Sequence, residues 1–330
     1  MYIETLPRLS GKKLNMWESF IKSANLEPDH LIEKTVLVWD DDEIAASGSR
    51  YGNILKLIAV NPKYRGEDLT STVIGALRQD AFSDGHRSLF LYTKPENEKI
   101  FSSIFFYPVA KTDKVLLLED KKDGIKSFIE GLPKKDAGGK VGAVIMNCNP
   151  FTLGHKYLIE TAAGECDLLY VFVLSEDKSY FSFEDRFEMV KLGVAHLGNV
   201  CVLPTGPYLI SSATFPTYFL KDRDSVSDAQ CLLDIEIFIK HFVKSFKITH
   251  RYVGTEPTSL LTDKYNEALK KHLPRSGVIL KEIERIKSGD APISASTVRE
   301  LIKQDNISAL RKLLPQTTLD YLSEKKYIRG

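Results

Sequence analysis

Residues 141–155 read VGAVIMNCNPFTLGH, and this stretch decides the fold of the C-terminal part of the chain. Its first six residues are an apolar run, typical of a strand buried on both faces of a sheet. Pro150 and Gly154 mark a tight turn, and a helical pattern begins at His155 and continues to Ala163. A buried strand, a tight turn and a helix in this order predict the first unit of a parallel α/β sheet.

The same alternation continues along the rest of the chain. Strands are predicted at 141–147, 168–174, 200–203, 248–253 and 278–283, and helices at 155–163, 183–197, 229–246 and 262–272. The fully apolar run LLYVFVL (168–174) favours a Rossmann-like parallel sheet covered by helices on both faces. Ligands of such sheets bind at the carboxyl ends of the strands. We therefore expect the chemistry in the loops after Asn147, Leu174, Pro204 and Gly254.

The N-terminal part has a mixed α+β pattern. Helices are predicted at 12–24, 69–82 and 96–105, and strands at 35–39, 44–49, 54–60, 88–92 and 115–118. The three short β-rich runs between 35 and 60 are typical of an antiparallel meander. Residues 119–140 are rich in charges and turn formers, with one short helix possible in GIKSFIEGL (124–132). The sequence therefore predicts a domain at 1–120, a linker at 121–140 and a second domain at 141–330.

Composition excludes several classes of protein. The chain has 330 residues, 43% of them hydrophobic and 27% charged, which is typical of a globular protein. A formal net charge of +1 provides no excess of positive charge for binding nucleic acid or an anionic membrane. The four cysteines lack metal-binding spacing, and the longest apolar run, 168–174, is too short to span a bilayer. A cytoplasmic protein with no metal site of its own is expected.

The turn after the first strand is the strongest candidate for a functional site. A helix N-terminus offers unpaired N–H groups and the positive end of the helix dipole, which suit a polyphosphate. Gly154 would let phosphate oxygens approach the main chain, and the Thr152 hydroxyl could donate a hydrogen bond. His155 would donate to an α-phosphate under attack. A lone histidine near a helix start is usually a cap or a surface residue, but Thr-x-Gly-His between a strand and a helix favours adenylyl transfer from ATP.

A second motif follows near the C-terminus, where residues 293–299 read ISASTVR after GDAP. Ser294 is a good N-cap for a helix that begins here. A capped helix with a solvent-facing Arg299 would explain the pattern equally well. Together with the first motif, however, the serine hydroxyls and Arg299 are expected to face the β- and γ-phosphates, because an arginine offsets the charge of a leaving pyrophosphate.

These two motifs resemble the nucleotidyltransferase superfamily with the (His/Thr)-x-Gly-His signature. A closer resemblance is to the citrate lyase ligase family, carried by three segments: MNCNPFTLGHKYLIETAA, SYFSFEDRFEMVKLGVAHLGNVCVLPTGPYLISSATFPTYF and RYVGTEPTSLLTDKYNEAL. In the N-terminal domain, LKLIAVNPKYRGEDL and LFLYTKPENEKIFSSIFFYPVA are similar to the acetyltransferase-like (GNAT) domain of that family. The resemblance covers nearly the whole chain in the right order.

The resemblance implies an activity, its substrates and a partner. Acetate would attack the α-phosphate of ATP to give acetyl-adenylate and pyrophosphate. The thiol prosthetic group of the citrate lyase acyl carrier subunit, which resembles dephospho-coenzyme A, would then take the acetyl group and activate the lyase. Mg²⁺ is expected to arrive on the ATP phosphates.

The same resemblance assigns roles to individual residues. Thr152 and His155 would hold the α-phosphate, and Ser294, Ser296 and Arg299 the leaving pyrophosphate. Lys178 matches a lysine that related adenylyltransferases place near phosphates, although a solvated loop lysine is equally consistent. The adenosine is expected beside Gly254, Thr255 and Glu256. The remaining nucleotide-site residues are Asn149, Pro150, Phe151, Gly154 and Ile293, with Asn149 assigned to the acid from its location alone.

The N-terminal domain departs from its family pattern at one turn. The acetyltransferase-like fold binds a pyrophosphate through a glycine-rich turn before its main helix, but Asp68 stands beside Glu67 where a second glycine is expected. Independent acetyl-coenzyme A chemistry is therefore disfavoured, and we expect this domain to receive the arm of the carrier subunit.

Three other functions are compatible with parts of the sequence. The chain could be an adenylyltransferase acting on a phosphate acceptor such as phosphopantetheine or a mononucleotide. It could be a non-catalytic nucleotide sensor, which the intact motifs at 152–155 and 294–299 argue against. It could be a coenzyme-A-dependent acetyltransferase with a decaying second domain, which Asp68 argues against.

Overall fold

The computed structural model describes residues 1–29, 31–175, 179–209, 223–255, 260–289 and 291–329. The chain forms two compact units. The first contains Met1–Ile125 and Thr214–Glu236, and the second contains Lys126–Ala213 and Ile237–Gly330. Each unit has its own sheet and its own core.

The first unit is built on a seven-stranded mixed sheet. Its strands are β1 (Tyr2–Leu6), β2 (Lys34–Asp40), β3 (Glu43–Tyr51), β4 (Ile54–Val60), β5 (Phe90–Thr93), β6 (Tyr107–Lys111) and β7 (Leu116–Glu119), in the order β1-β2-β3-β4-β5-β7-β6. The predicted meander is confirmed, because β2 pairs antiparallel with β3 and β3 with β4. β4 and β5 are paired in parallel.

Within residues 1–123, three α-helices accompany this sheet, namely α1 (Gly11–Ser23), α2 (Leu69–Ser83) and α3 (Glu98–Ser102). α2 buries Val73, Ile74, Leu77 and Ala81 in a core shared with the sheet. It crosses β3 at Gly48, where an added Cβ would lie 2.4 Å from Val73 Cγ1. The glycine therefore permits the close approach of helix and sheet that forms this core.

Two strands of this sheet were not expected from the sequence. β1 and β6 lie at the two ends of the strand order, and β6 contains Pro108. Proline is tolerated in edge strands, where its missing N–H leaves no ladder position unpaired. Edge strands with exposed residues lack the apolar alternation that identifies a central strand.

The second unit contains a five-stranded parallel sheet, as predicted. Its strands are β8 (Val141–Met146), β9 (Leu168–Val173), β10 (Val200–Pro204), β11 (His250–Gly254) and β12 (Ile279–Ile283), in the order β10-β9-β8-β11-β12. Every neighbouring pair is parallel. The first strand, β8, lies between β9 and β11, so the strand order reverses there. In parallel sheets the crevice that binds ligands lies at the carboxyl ends of the strands beside such a reversal.

The helices of the described chain from residue 124 onward are α4 (Gly124–Glu130), α5 (Leu153–Gly164), α6 (Phe183–Val194), α7 (Arg223–Ile237), α8 (Lys244–Phe246), α9 (Leu260–His272), α10 (Ala295–Lys303), α11 (Ile307–Leu310) and α12 (Gln316–Glu324). The helix expected at 229–246 is interrupted by a π-helical segment, Phe238–Val243. Two short strands, β13 (Lys287–Ser288) and β14 (Ala291–Pro292), form a hairpin. No helix among the described residues is long and apolar enough to cross a membrane.

Both faces of this sheet are covered. On one face, Val171 and Val173 share a core with Phe151, and the C-terminal helices add Val298 and Leu310 to it. On the other face, Phe172 packs against Phe242 and Phe246, with ring centroids 5.3 Å apart in each case. Because α5 and α10 contribute to one core, the two predicted motifs are held on the same side of the sheet.

Candidate functional site

The turn between β8 and α5 is anchored by a buried aromatic ring. Phe151 is fully buried, and its ring fills the space that a side chain at Gly193 of α6 would need, since an added Cβ there would lie 2.2 Å from Phe151 Cε1. The Asn149–Pro150 peptide bond is cis. Pro150 is buried as well, so these two side chains anchor the turn in the core.

Thr152 and His155 cap the start of α5 reciprocally. The Thr152 Oγ1 accepts the His155 N–H at 3.4 Å, and the Thr152 N–H donates to His155 Nδ1 at 3.1 Å. Thr152 Oγ1 also lies 3.0 Å from His155 Nδ1. An Nδ1 that accepts a main-chain hydrogen bond is unprotonated, so the proton of the neutral imidazole lies on Nε2. The cap thus fixes the tautomer of His155.

The electrostatic surroundings favour the same neutral form. Burial, and next the charge of Arg285, lower the pKa of His155 from 6.5 to about 4. The ring lies 6.1 Å from that of Phe151, centroid to centroid, which contributes to the desolvation. At neutral pH His155 is therefore a preorganised Nε2–H donor that carries no charge.

Gly154 is open on the side where a Cβ would stand. Its φ lies outside the left-handed region, and the nearest atoms to an added Cβ are Ile293 Cβ and Thr152 Oγ1, both at 3.6 Å. Neither the main-chain conformation nor the packing within the described protein demands a glycine here. The small residue therefore leaves the helix N-terminus accessible to a ligand.

The second motif lies against the first. Ser294 is the N-cap of α10, and its Oγ accepts the Ser296 N–H at 3.2 Å. Arg299 Nη1 donates to the main-chain oxygen of Asn149 at 2.7 Å, and Nη2 donates to Ser296 Oγ at 3.0 Å. The Arg299 guanidinium thus links the Ser296 hydroxyl to the turn after β8.

The loops after β11 and β12 border the same crevice. The Gly254 oxygen accepts from Asn266 Nδ2 at 3.1 Å, and the Thr255 N–H donates to the Ile283 oxygen at 3.0 Å. The Arg285 N–H donates to Thr255 Oγ1 at 3.3 Å, and a Cβ on Gly254 would lie 3.6 Å from Arg285 Nε. Lys178 and Glu256, two predicted site residues, fall outside the described residues.

Sequence reasoning missed two arginines at this edge. Arg285 has no motif around it, and its proximity to His155 depends on which strands the topology makes neighbours. Arg186 of α6 is fully buried. It donates to the oxygens of Asn147, Leu174 and Phe181 at 3.0, 2.7 and 3.2 Å. It therefore joins the loops that follow β8 and β9.

The first unit contains a separate cavity of roughly 800 Å³. β4 and β5 pair only at their beginnings, Ile54 with Phe90 and Leu55 with Leu91, and the later parts of both strands line the cavity. Asp68 also lines it, in left-handed conformation with φ 54° at the start of α2. Its Oδ1 accepts the Ser71 hydroxyl at 2.5 Å. A carboxylate at this helix start opposes the binding of a pyrophosphate.

Two ligases resemble this chain over nearly all of its length, and one solved structure overlaps more than half of it. It is 37% identical to the "[Citrate [pro-3S]-lyase] ligase" of Klebsiella pneumoniae over 93% of this chain and 92% of that protein. It is 36% identical to the ligase of the same name from Escherichia coli (strain K12), over 96% of this chain and 92% of that one. The crystal structure of Thermotoga maritima TmcAL bound with α-thio ATP overlaps 57% of this chain and 56% of its own, with 15% identity and a TM-score of 0.39.

The family model of the citrate lyase ligase C-terminal domain matches residues 141–322. That span contains both motifs and the whole parallel sheet. The chain therefore belongs to the citrate lyase ligase family, a family of enzymes.

Proposed function

We propose that this protein uses ATP to acetylate the thiol prosthetic group on the acyl carrier subunit of citrate lyase, by way of acetyl-adenylate, and so activates the lyase. One observation carries the proposal. In a chain of this family, the neutral His155, the start of α5 and Arg299 converge at the crevice of a parallel sheet. This arrangement suits the α-phosphate of a nucleotide under attack.

The first step joins acetate to the α-phosphate. A carboxylate oxygen forms a bond to the α-phosphorus, and the bond from that phosphorus to the β-phosphate bridging oxygen breaks. Pyrophosphate leaves with the electron pair. The Nε2–H of His155 donates to an α-phosphate oxygen, while Arg299 and the hydroxyls of Ser294 and Ser296 take the leaving pyrophosphate. Acetate is already an anion, so this step needs no general base.

The second step transfers the acetyl group. The thiol sulfur bonds to the acetyl carbon, the bond from that carbon to the phosphate oxygen breaks, and AMP leaves. The thiol proton goes to solvent. The products of this step are AMP and the acetylated carrier. Together with the pyrophosphate of the first step and the thiol proton, they account for all atoms of ATP, acetate and thiol.

ATP is proposed to enter with Mg²⁺ on its β- and γ-phosphates, as part of the substrate. Mg²⁺ keeps several of its waters and binds nucleotide phosphates readily, so it requires few protein ligands. Within the described ranges no group of three His, Cys, Asp or Glu could hold a metal ion, and we assign the ion no protein ligand. The adenosine is proposed to bind beside Gly254 and Thr255, with Glu256 and Lys178 as further contacts.

The carrier arm is proposed to bind in the cavity of the first unit. Its volume of roughly 800 Å³ is in the range of pockets that enclose a small ligand. The later parts of β4 and β5 do not pair with each other and line the cavity, so an extended chain that contains amides could hydrogen-bond along a strand there. The carboxylate of Asp68 disfavours phosphate groups at the start of α2, so the arm would be held there by its uncharged part.

Exchange of labelled pyrophosphate into ATP tests the first step directly. We expect exchange that requires acetate, and His155→Ala should lower its rate by roughly 100- to 1,000-fold, the usual cost of losing one preorganised donor. His196→Ala is the matched control, because this exposed histidine bonds only Glu160 Oε1, at 2.8 Å, among the described residues. Exchange without any acid, or an unchanged rate in His155→Ala, would contradict the proposal.

A further inference from the structure

Two asparagines in the turn after β8 differ in how their side chains are used. Asn147 is engaged at both ends of its amide, because Oδ1 accepts from Arg186 Nη1 at 2.7 Å and Nδ2 donates to Ser179 Oγ at 3.1 Å. Asn149 is engaged at one end, where Oδ1 accepts the Phe181 N–H at 3.1 Å. Within the described part of the chain, its Nδ2 has no protein partner.

The orientation of the Asn149 amide is fixed by its partner. A main-chain N–H can only donate, so the atom that faces Phe181 must be the oxygen. The main-chain oxygen of the same residue accepts from Arg299 at 2.7 Å, which holds the residue from a second side. Asn149 is half-buried. Two N–H donors therefore stay available at the turn that carries His155.

We infer that the side-chain N–H₂ of Asn149 binds the carboxylate of the acid substrate and directs its other oxygen at the α-phosphorus. The inference rests on the proposed function and adds to it the group that recognises the acid. Carboxylate oxygens are acceptors only, so a site that selects an acid must present N–H or O–H donors to them.

A neutral donor suits this task better than a cation does. A guanidinium would bind acetate more tightly, but it would also withdraw charge from the oxygen that must attack phosphorus. The amide orients the carboxylate and leaves it nucleophilic. Two cations that contact this turn have other roles, because Arg299 bonds the Asn149 main chain and Ser296 on the side proposed for the pyrophosphate, and Arg186 is fully buried.

Two substitutions of Asn149 both remove its side-chain N–H₂ group but differ in charge and in the hydrogen bond to Phe181. Asn149→Asp removes the N–H₂ group and keeps an oxygen for the Phe181 N–H, whereas Asn149→Ala removes both and adds no charge. In both variants we expect the acetate KM of acetate-dependent pyrophosphate exchange to rise by about tenfold or more, as for the loss of a hydrogen bond to a charged group. The ATP KM of Asn149→Ala should change by less than about twofold, since the lost donor faces the acid.

Asn147→Ala is the control from the same turn. It removes an asparagine whose amide is already used by the protein, so it should lower the thermal stability without a selective change in the acetate KM. A wild-type acetate KM in either Asn149 variant would overturn the inference and leave the proposed function intact. A wild-type protein that shows no exchange with any acid would overturn both.

Discussion

At the scale of single residues, the protonation of His155 decides whether it can donate to a phosphate. The hydrogen bond from the Thr152 N–H to Nδ1 and the lowered pKa, about 4, both favour the neutral ring with its proton on Nε2. A histidine with an unperturbed pKa of 6.5 would be partly charged at pH 6. His155 should instead stay neutral there and present one donor to a ligand.

Nitrogen-15 NMR of histidine-labelled, ligand-free protein measures this. We expect the Nε2–H tautomer of His155 at pH 6 and a pKa of about 4. Addition of ATP should raise that pKa, because a neighbouring anion favours the charged imidazole. A ring that titrates near 6.5 in the ligand-free protein, or carries its proton on Nδ1 at neutral pH, would contradict the assignment.

The same shift has a consequence for stability. The folded pKa lies below the unfolded value of 6.5, so the unfolded chain binds the proton first as the pH falls. His155 therefore destabilises the fold progressively from about pH 6.5 down to about pH 4 and contributes no pH dependence above that window.

At the scale of elements, a substitution at the start of α5 can change ligand binding without lowering the stability of the fold. Gly154→Ala places a methyl group 3.6 Å from its nearest neighbours in a helical position without left-handed φ. Alanine is the better helix former by up to about 1 kcal/mol, so we expect the melting temperature to be unchanged or raised. ATP binding should nevertheless weaken by at least about tenfold, because the methyl group blocks the approach of phosphate to the main-chain N–H groups.

Gly164→Ala provides the comparison at the other end of the same helix. A Cβ there has no neighbour within 4 Å, so this substitution should raise helix stability equally and leave ATP binding unchanged. Calorimetric titration with ATP and thermal unfolding of both variants are the measurements. Equal ATP affinity in the two variants would show that the start of α5 is not where the nucleotide binds.

The sequence predicted helices, strands and local motifs better than it predicted contacts between residues that are distant along the chain. Central strands such as β8 and β9 were found because burial on both faces requires continuous apolar residues. The edge strands β1 and β6 were missed because burial imposes no such pattern on them. Thr152 and His155 lie together within one turn, so local spacing reveals them. Arg186 and Arg285 reach the site through tertiary packing, which leaves no periodic trace in the sequence.

At the scale of the whole molecule, the two units are not two continuous stretches of chain. Residues Thr214–Glu236 group with Met1–Ile125, which composition and spacing did not indicate because grouping of this kind depends on long-range contacts. Deletion of the N-terminal residues would remove most of the unit with which Thr214–Glu236 is grouped. The role of the first unit is therefore better tested in the full-length chain by a substitution in its cavity.

Ser71→Trp is such a substitution. Ser71 lines the cavity from the first turn of α2 and is half-buried, so an indole there should occupy space that the carrier arm needs. We expect acetate-dependent pyrophosphate exchange to stay near the wild-type rate, because the proposed site of acetyl-adenylate formation lies in the second unit. Transfer of labelled acetyl to the carrier subunit should fall by at least about tenfold, as when a bound group is displaced from the geometry required for reaction.

Gln79→Trp is the control. Gln79 is exposed, lies two turns along the same helix and is outside the cavity lining, so this variant should transfer acetyl at the wild-type rate. Equal transfer by both variants would mean that the arm binds elsewhere, whereas loss of exchange in Ser71→Trp alone would mean that this cavity serves the first step.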